Sequence, residues 1–411
     1  MLIATYKPDS LFLEKVDEFN QAKEKVEQIT IVDYGIYDDL SGFGGAIAAL
    51  RDNIDCGVIP DMYYWSLQAG VNGFDSSLFC QSEFFVDFND YFIQDSMIDK
   101  QSFVPNIIDA LKSSYGGLFE LPIEFVVHAV ACRRFETNIE RWDFDRFIQI
   151  HHSLHDPPNA FGRSAGQALL LISYLMNNSS EFIDWKHGKC CFQSDTFTEL
   201  LGFTKTQQIY TDNLILPNEA IATGNQYLFY EAISDVSSLQ KFKAVFNDEV
   251  TLIGYPVNSG RGNACFFTRS MSVYKNTTKA DICWSFMKGF FDAIFQYENI
   301  TFFPTNEEAF LRRIAQPELH EEAGVILAYQ SSDNRQFPVV FRKPTQAESS
   351  QVKDLVYSLD RVYRPLVSFI QLVYHYTEAF YTGEKDASET TDIIQQLALN
   401  YLNERITINS E

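Results

Sequence analysis

The start of the chain alternates between short apolar runs and an amphipathic stretch. Leu2–Thr5 has the pattern of a buried strand, and Gln28–Tyr34 has the pattern of a second one. Between them, Pro8, Asp9 and Ser10 provide caps for an amphipathic helix that runs to about Ala22. A strand, a helix and a further strand in this order are typical of parallel βαβ units, so the sequence predicts an α/β fold.

Parallel sheets bind ligands beyond the carboxyl ends of their strands. We therefore expect the loops after the first three strands to face one site. These loops are predicted at Thr5–Lys7, Tyr34–Tyr37 and Tyr63–Trp65.

Length and charge restrict the class of protein. A chain of 411 residues exceeds the size at which one core keeps growing, which favours two lobes. The net charge of -23 repels phosphate backbones and anionic lipid, so nucleic acid is not an expected partner. The longest apolar run, Ala165–Met176, is shorter than a bilayer span and is interrupted by Gln167 and Ser173, which predicts a soluble chain.

The seven cysteines are an odd number and form no Cys-x-x-Cys pair. Neither a zinc ribbon nor a thioredoxin-like motif is therefore expected, and we interpret the cysteines as buried thiols. His151, His152 and His155 with Asp156 could present two imidazoles one turn apart to zinc, but the carboxylate that a zincin helix supplies is missing, so no metal site is predicted.

Two extended runs have the pattern of crossings between lobes. The first begins at Tyr115 and continues through Pro122, which suits a crossing better than the centre of a sheet. The second covers Val250–Val257 and ends in a glycine-rich loop at Asn263. The stretch 143–245 and the chain beyond Ser350 have mostly helical patterns, with a break near Gly383.

Several separated segments, taken in order, resemble the family 1 extracellular solute-binding proteins, the receptors of bacterial ATP-driven sugar importers. The resemblance begins with Leu2–Tyr6 and Val16–Asn20. It continues through Gly57–Asp61, Tyr115–Pro122, Trp142–Phe147, Ile253–Pro256, Cys283–Phe286, Phe303–Asn306 and Gly383–Glu404. Each motif is weak by itself, but their order covers nearly the whole chain.

The resemblance implies a two-lobed periplasmic-binding-protein-like α/β fold of type II, with three hinge crossings. It places an N-terminal lobe at 1–121 and 256–302, and a more helical C-terminal lobe at 122–255 and 303–411. It also implies closure of the lobes around a solute, with no cofactor and no catalysis.

The implied solute is a mono- or oligosaccharide, and the implied partner is an ABC-type permease. The native form would be a monomeric cell-surface lipoprotein whose signal and lipid anchor are absent from this chain. Two alternatives stay open: a solute-sensing domain of the same fold, and a glycoside-processing enzyme suggested by the many carboxylates.

Sugars are recognised by flat apolar faces and forked polar side chains, which gives eight candidate ligand contacts. In the first half of the chain they are Tyr34, Tyr37, Trp65 and Glu124. In the second lobe and the return loop they are Arg163, Tyr227, Arg261 and Asn263. For Glu124, an interlobe salt bridge is the open alternative.

Overall fold

The computed structural model describes residues 1–407 except 25–26, 42–43, 67–75, 95–97, 99, 134–141, 162–166, 209–215, 248, 318–323, 331–334 and 365. Its strands are β1 Leu2–Thr5, β2 Thr30–Asp33, β3 Met62–Ser66, β4 Leu121–Arg133, β5 Ile183–Asp184, β6 Lys189–Cys190, β7 Leu228–Ile233, β8 Val250–Ile253, β9 Ala264–Val273, β10 Phe303–Pro304, β11 Gly324–Gln330, β12 Gln336–Phe341 and β13 Arg361–Val362.

The helices of the first half are α1 Ser10–Ala22, α2 Gly35–Ser41, α3 Gly45–Asp55, α4 Gln81–Phe84, α5 Asn89–Gln94, α6 Pro105–Tyr115, α7 Phe144–Ser153, α8 Gln167–Phe182 and α9 Asp195–Thr206. Those of the second half are α10 Pro217–Ala222, α11 Leu239–Phe246, α12 Ala280–Met287, α13 Ala293–Asn299, α14 Glu307–Ala315, α15 Gln346–Val356, α16 Val367–Tyr381 and α17 Ala387–Asn403. Among the described residues, no helix has both the length and the apolar character needed to cross a bilayer.

The predicted βαβ start is confirmed. β1 pairs in parallel with β2 and β3, and Asp9 caps α1 by accepting a hydrogen bond from the Phe12 amide. One boundary was wrong, because Trp65 lies inside β3 rather than in the loop after it. The run of Tyr63, Tyr64 and Trp65 has high strand propensity and extends the strand to Ser66.

One large sheet contains the strands in the order β10-β4-β9-β3-β1-β2, and β7, β8 and β13 branch from β4 and β9. The central strand β4 is 13 residues long. Its first half pairs with β9 and β10, and its second half pairs with β7 and β8. The predicted crossing at Pro122 is thus a continuous strand that joins the two parts of the sheet.

Each face of the sheet carries its own core, because side chains alternate between the faces of a strand. The first core contains Ile3, Met62 and Phe125, and the second contains Ala4, Tyr63 and Val130. Helices cover both faces, as expected for an α/β protein.

One prediction for the second half of the chain needs correction, because the second extended run forms strand only over β8, which ends at Ile253. The stretches predicted as mostly helical are so, with the short strands β5, β6, β7 and β13 between their helices. All seven cysteines are free thiols, but Cys56 and Cys191 are exposed, contrary to the prediction. Cys56 follows the last turn of α3 and Cys191 follows β6, both outside the packed cores.

Candidate functional site

Four aromatic side chains cluster where the two parts of the sheet meet. His128 on β4 stacks on Tyr363, with ring centroids 4.2 Å apart, and Phe266 on β9 meets the same tyrosine edge-on at 5.2 Å. Tyr230 on β7 lies beside His128, at 5.5 Å between ring centroids. All four side chains are only partly buried. We call this set the aromatic floor.

Strand pairing places these rings. β13 pairs in parallel with the start of β9, matching Val362 with Cys265, and the Tyr363 amide donates to the Cys265 carbonyl at 2.7 Å. The chain that leaves β13 therefore brings Tyr363 over β9 and β4. His128 and Tyr230 lie on neighbouring strands, in register His128↔Ala232 and Val130↔Tyr230.

The aromatic floor is uncharged. Burial lowers the pKa of His128 to about 3, so its imidazole is neutral above that pH. Burial also raises the pKa of Tyr230 well above its ordinary value. The Tyr230 hydroxyl and His128 Nδ1 form a hydrogen bond with each other. Neutral rings with hydroxyl groups can cover C–H surfaces and pair with hydroxyl groups of a solute.

A buried polar group, which we call the Glu120 cluster, lies on the same sheet. The hydroxyls of Ser76 and Ser270 donate to the two oxygens of Glu120, and Arg364 Nη1 lies 3.7 Å from Glu120 Oε2. Glu120 precedes β4, whereas Arg364 follows Tyr363. Segments far apart in the chain thus contribute opposite charges to this cluster, and the adjacent residues Tyr363 and Arg364 link it to the aromatic floor.

The predicted stacking residues of the first half are packed inside the second core. Tyr34 is fully buried, and its hydroxyl accepts a hydrogen bond from Asn53 Nδ2 at 2.8 Å. Trp65 is 3% exposed, stacks on Tyr63 at 5.4 Å and donates from Nε1 to Ser272 Oγ at 3.0 Å. Tyr37 is partly buried against the same core. Ligand contact by these residues stays a prediction.

Glu124 is fully buried in an ion pair. Its Oε1 lies 3.3 Å from Arg269 Nη1 and accepts from Thr268 Oγ1 at 2.6 Å. Its Oε2 accepts the amides of Thr301 and Phe302 at 3.2 and 3.3 Å. The Glu124 carboxylate therefore forms a salt bridge, which was the alternative to ligand contact, and this salt bridge joins the paired strands β4 and β9.

The second-half candidates lie in three places. Tyr227 is 9% exposed and packs in the second core, where its hydroxyl lies 3.3 Å from His151 Nδ1. Arg163 lies outside the described residues. Arg261 and Asn263 both line a cavity of about 760 Å³ between β8 and α15. Among the described candidates, the structure thus brings Arg261 and Asn263 together at this cavity, and Tyr34 and Tyr37 together in the first half, with ring centroids 6.1 Å apart.

Sequence reasoning missed the aromatic floor and the Glu120 cluster. Glu120 and His128 lie in the predicted first crossing, which the extended run through Pro122 indicated. In that segment, however, only Glu124 was chosen as a candidate ligand contact. Tyr363 and Arg364 stood in a stretch predicted as helical, and β13 is too short to give a strand pattern of its own. Within the described ranges, no group of three or more His, Cys, Asp or Glu side chains could hold a metal ion.

The sheet, its continuous central strand and the helices on both faces make this a two-lobed, periplasmic-binding-protein-like α/β fold. The chain is similar in structure to the sugar-binding protein MalE from the phytopathogen Xanthomonas citri, with 12% identity, 98% of this chain and 97% of that chain covered, and a TM-score of 0.55.

Two further solved structures have the same degree of similarity. The cyclic alpha-maltosyl-1,6-maltose binding protein from Arthrobacter globiformis is 12% identical, with 98% of each chain covered and a TM-score of 0.53. A de novo designed cysteine esterase is 14% identical, with 98% of each chain covered and a TM-score of 0.53. No protein-family model and no curated protein sequence matches the chain. At these identities the similarity shows the fold.

Proposed function

We propose that this protein binds a carbohydrate between its two lobes and delivers it to an ABC-type membrane permease, without catalysis. The observation that carries the proposal is the partly exposed aromatic floor, whose Tyr363 directly precedes Arg364 of the buried Glu120 cluster. Flat rings cover the C–H faces of a sugar, and the planar guanidinium of Arg364, held beside Glu120, fixes the chain that carries Tyr363.

The proposed lobe boundaries place the two halves of this site on different lobes. With an N-terminal lobe at 1–121 and 256–302, Glu120 and Phe266 belong to one lobe, and Tyr363 and Arg364 belong to the other. A solute that contacts both sets favours the closed arrangement, because only closure provides all contacts at once.

The similar structures support the solute class. Of those reported above, the Xanthomonas citri protein is a sugar-binding protein, and the Arthrobacter globiformis protein is a cyclic alpha-maltosyl-1,6-maltose binding protein. In this proposal the native protein is a monomeric lipoprotein on the outer surface of a bacterial cell, and its lobes are recognised by the permease when closed. Sustained release of product from reducing-end-labelled oligosaccharides would contradict the absence of catalysis.

Titration calorimetry against a panel of mono- and oligosaccharides tests the proposal. We expect at least one saccharide to bind, and Tyr363→Ala to weaken that binding about tenfold, because a stacked ring contributes about 1.4 kcal/mol. Arg364→Lys is expected to weaken it as well, since Lys lacks the planar donor fork.

The matched control is Tyr376→Ala on α16, a tyrosine that is 39% exposed and distant in sequence from the floor. It should bind as the native chain does. Failure of every saccharide to bind, or native affinity in Tyr363→Ala, would contradict the proposal.

A further inference from the structure

The sheet has an empty strand position beside β8. Val127 pairs with both β7 and β9, and Val130 pairs with both β7 and β8, so β8 and β9 lie on the same side of β4. Beyond β9, the next position in the sheet is occupied by β3 along the end of β9 and by β13 along its start. Among the described residues no strand pairs with the outer edge of β8. The backbone amides and carbonyls of an edge strand are a template for a further strand.

Helix α15 forms the opposite wall of a groove along this edge. The groove has a volume of about 760 Å³. The helix wall follows a spacing of three and four residues, which is one face of a helix: Ala347, Ser350, Gln351, Asp354 and Leu355, with Ser358 just beyond the end of α15. At 1.5 Å per helical residue this face is about 12 Å long, and β8 with Gly254 is about 13 Å long at 3.3 Å per strand residue. The two walls therefore match in length and admit about five residues of extended chain.

Two polar residues stand at one end of the groove. Asn263 is 6% exposed, and its Nδ2 donates to Ser358 Oγ at 2.8 Å. Its Oδ1 is buried and accepts no hydrogen bond from any described residue. Arg261 is exposed, and only its backbone amide is bound, to Asp360. This end thus offers the Arg261 guanidinium, for which the described parts of the chain show no ion pair, whereas Asn263 Oδ1 is enclosed and the Asp360 carboxylate is bound to the Arg261 amide.

We propose that this groove binds the extended carboxyl-terminal segment, about five residues long, of a partner protein. The segment adds to the sheet beside β8, in line with β13. Its terminal carboxylate pairs with the Arg261 guanidinium, at the end of the groove where Asn263 is hydrogen-bonded to Ser358. The inference does not depend on the carbohydrate proposal, because the aromatic floor contains His128 and Tyr230 whereas the groove lies along the free edge of β8.

The chemistry of the groove favours a peptide terminus over a free sugar. A strand edge presents donors and acceptors at the regular repeat of a peptide backbone. The overall charge of -23 repels the carboxylate of a bound peptide over most of the surface. The guanidinium of Arg261 therefore selects the end of the groove at which that carboxylate binds.

The test is capture of a pool of random pentapeptides with free carboxyl termini on the immobilised full chain, followed by identification of the bound peptides by mass spectrometry. We expect enriched sequences on the native chain. Ser350→Trp should reduce the enrichment at least tenfold, because the indole fills the groove from an exposed position of the helix wall. The control Lys353→Trp places the same indole on the same helix, outside the lining, and should keep it.

Two further variants separate the parts of the proposal. Arg261→Ala should reduce the enrichment, and an amidated pool should show little. Saccharide binding by Ser350→Trp should equal that of the native chain, which distinguishes failure of this site from failure of the cleft. Equal peptide capture by the native chain and Ser350→Trp would overturn the proposal, and equal capture of the amidated pool would overturn the role given to the carboxylate.

Discussion

At the scale of single residues, the Glu348 carboxylate is buried and has three charged or polar partners. Lys243 Nζ lies 2.9 Å from Oε1, Arg342 binds both oxygens at 3.0 Å, and the Thr345 amide donates to Oε2 at 2.7 Å. Burial by itself would raise the pKa of Glu348. The amide of Thr345, the guanidinium of Arg342 and the ammonium of Lys243 outweigh burial and lower the pKa from 4.5 to about 2.

A depressed folded-state pKa stabilises the fold above the unfolded-state value, and that stability is lost as the pH falls. We therefore expect Glu348 to contribute fully above pH 5 and to lose its contribution between about pH 4.5 and 2. Glu348→Gln should lower the free energy of unfolding by about 2 kcal/mol at pH 7 and should flatten its dependence on pH in this window.

Denaturant titrations at several pH values measure this difference. Glu18→Gln is the control, because Glu18 forms an exposed pair with Lys15 that contributes little. A variant at Glu348 with the native pH profile would contradict the assignment.

Gly254 leaves no room for a side chain. A Cβ at this position would lie 2.0 Å from the Arg261 carbonyl oxygen and 2.5 Å from the Gly262 carbonyl carbon. Because both neighbours are backbone, Gly254→Ala should cost about 2 kcal/mol of folding stability. Gly202, inside α9, has no neighbour within 4 Å of its Cβ position, so Gly202→Ala should stabilise the chain by about 0.5 kcal/mol. Equal effects in denaturant unfolding would refute this contrast.

The sequence indicated candidate side chains without showing their partners. Trp65 was chosen as a stacking residue after the third strand, and Glu124 as a carboxylate in the predicted first crossing. Both have internal partners, Ser272 and Arg269, that lie more than a hundred residues away in the sequence, and their contact with a ligand stays a prediction. Sequence patterns do not reveal such long-range pairs, because no local spacing links the two partners.

At the scale of elements, α17 begins with a capping box. The Asp386 carboxylate accepts the Glu389 amide at 2.9 Å, and Glu389 Oε2 accepts the Asp386 amide at 3.1 Å. Asp386→Ala should lower the free energy of unfolding by about 1 kcal/mol, because the Glu389 amide at the helix start loses its partner. Glu384→Ala, an exposed acidic residue just before the box, is the control for the change in charge. Equal stability of the two variants in denaturant titrations would contradict the capping role.

Element prediction succeeded where the pattern was local. The period and caps of α1 and the apolar run of β1 are set by neighbouring residues, and both were placed correctly. β13 contains two residues and exists because β9 provides its partner, so the predicted helical stretch concealed it. The aromatic floor depends on β13, and for this reason it was missed as well.

At the scale of the whole molecule, the carbohydrate proposal predicts a change of shape. Addition of a bound saccharide should decrease the radius of gyration measured by small-angle X-ray scattering, because contacts to both lobes favour closure. Tyr363→Ala at the same saccharide concentration should show a smaller decrease. An unchanged radius for the native chain at saturation would argue against closure.

The continuity of β4 restricts the motion that any closure can use. Its register with β9 is irregular between Pro122 and Phe125, and irregular pairing locally increases strand twist. Because the same strand remains hydrogen-bonded on both sides of this point, any closure has to twist β4. One half of the protein then rotates relative to the other about the axis of the strand. In the proposed closure around a saccharide, this twist of the β4 hydrogen bonds would oppose the closed state and would favour reopening once the saccharide leaves.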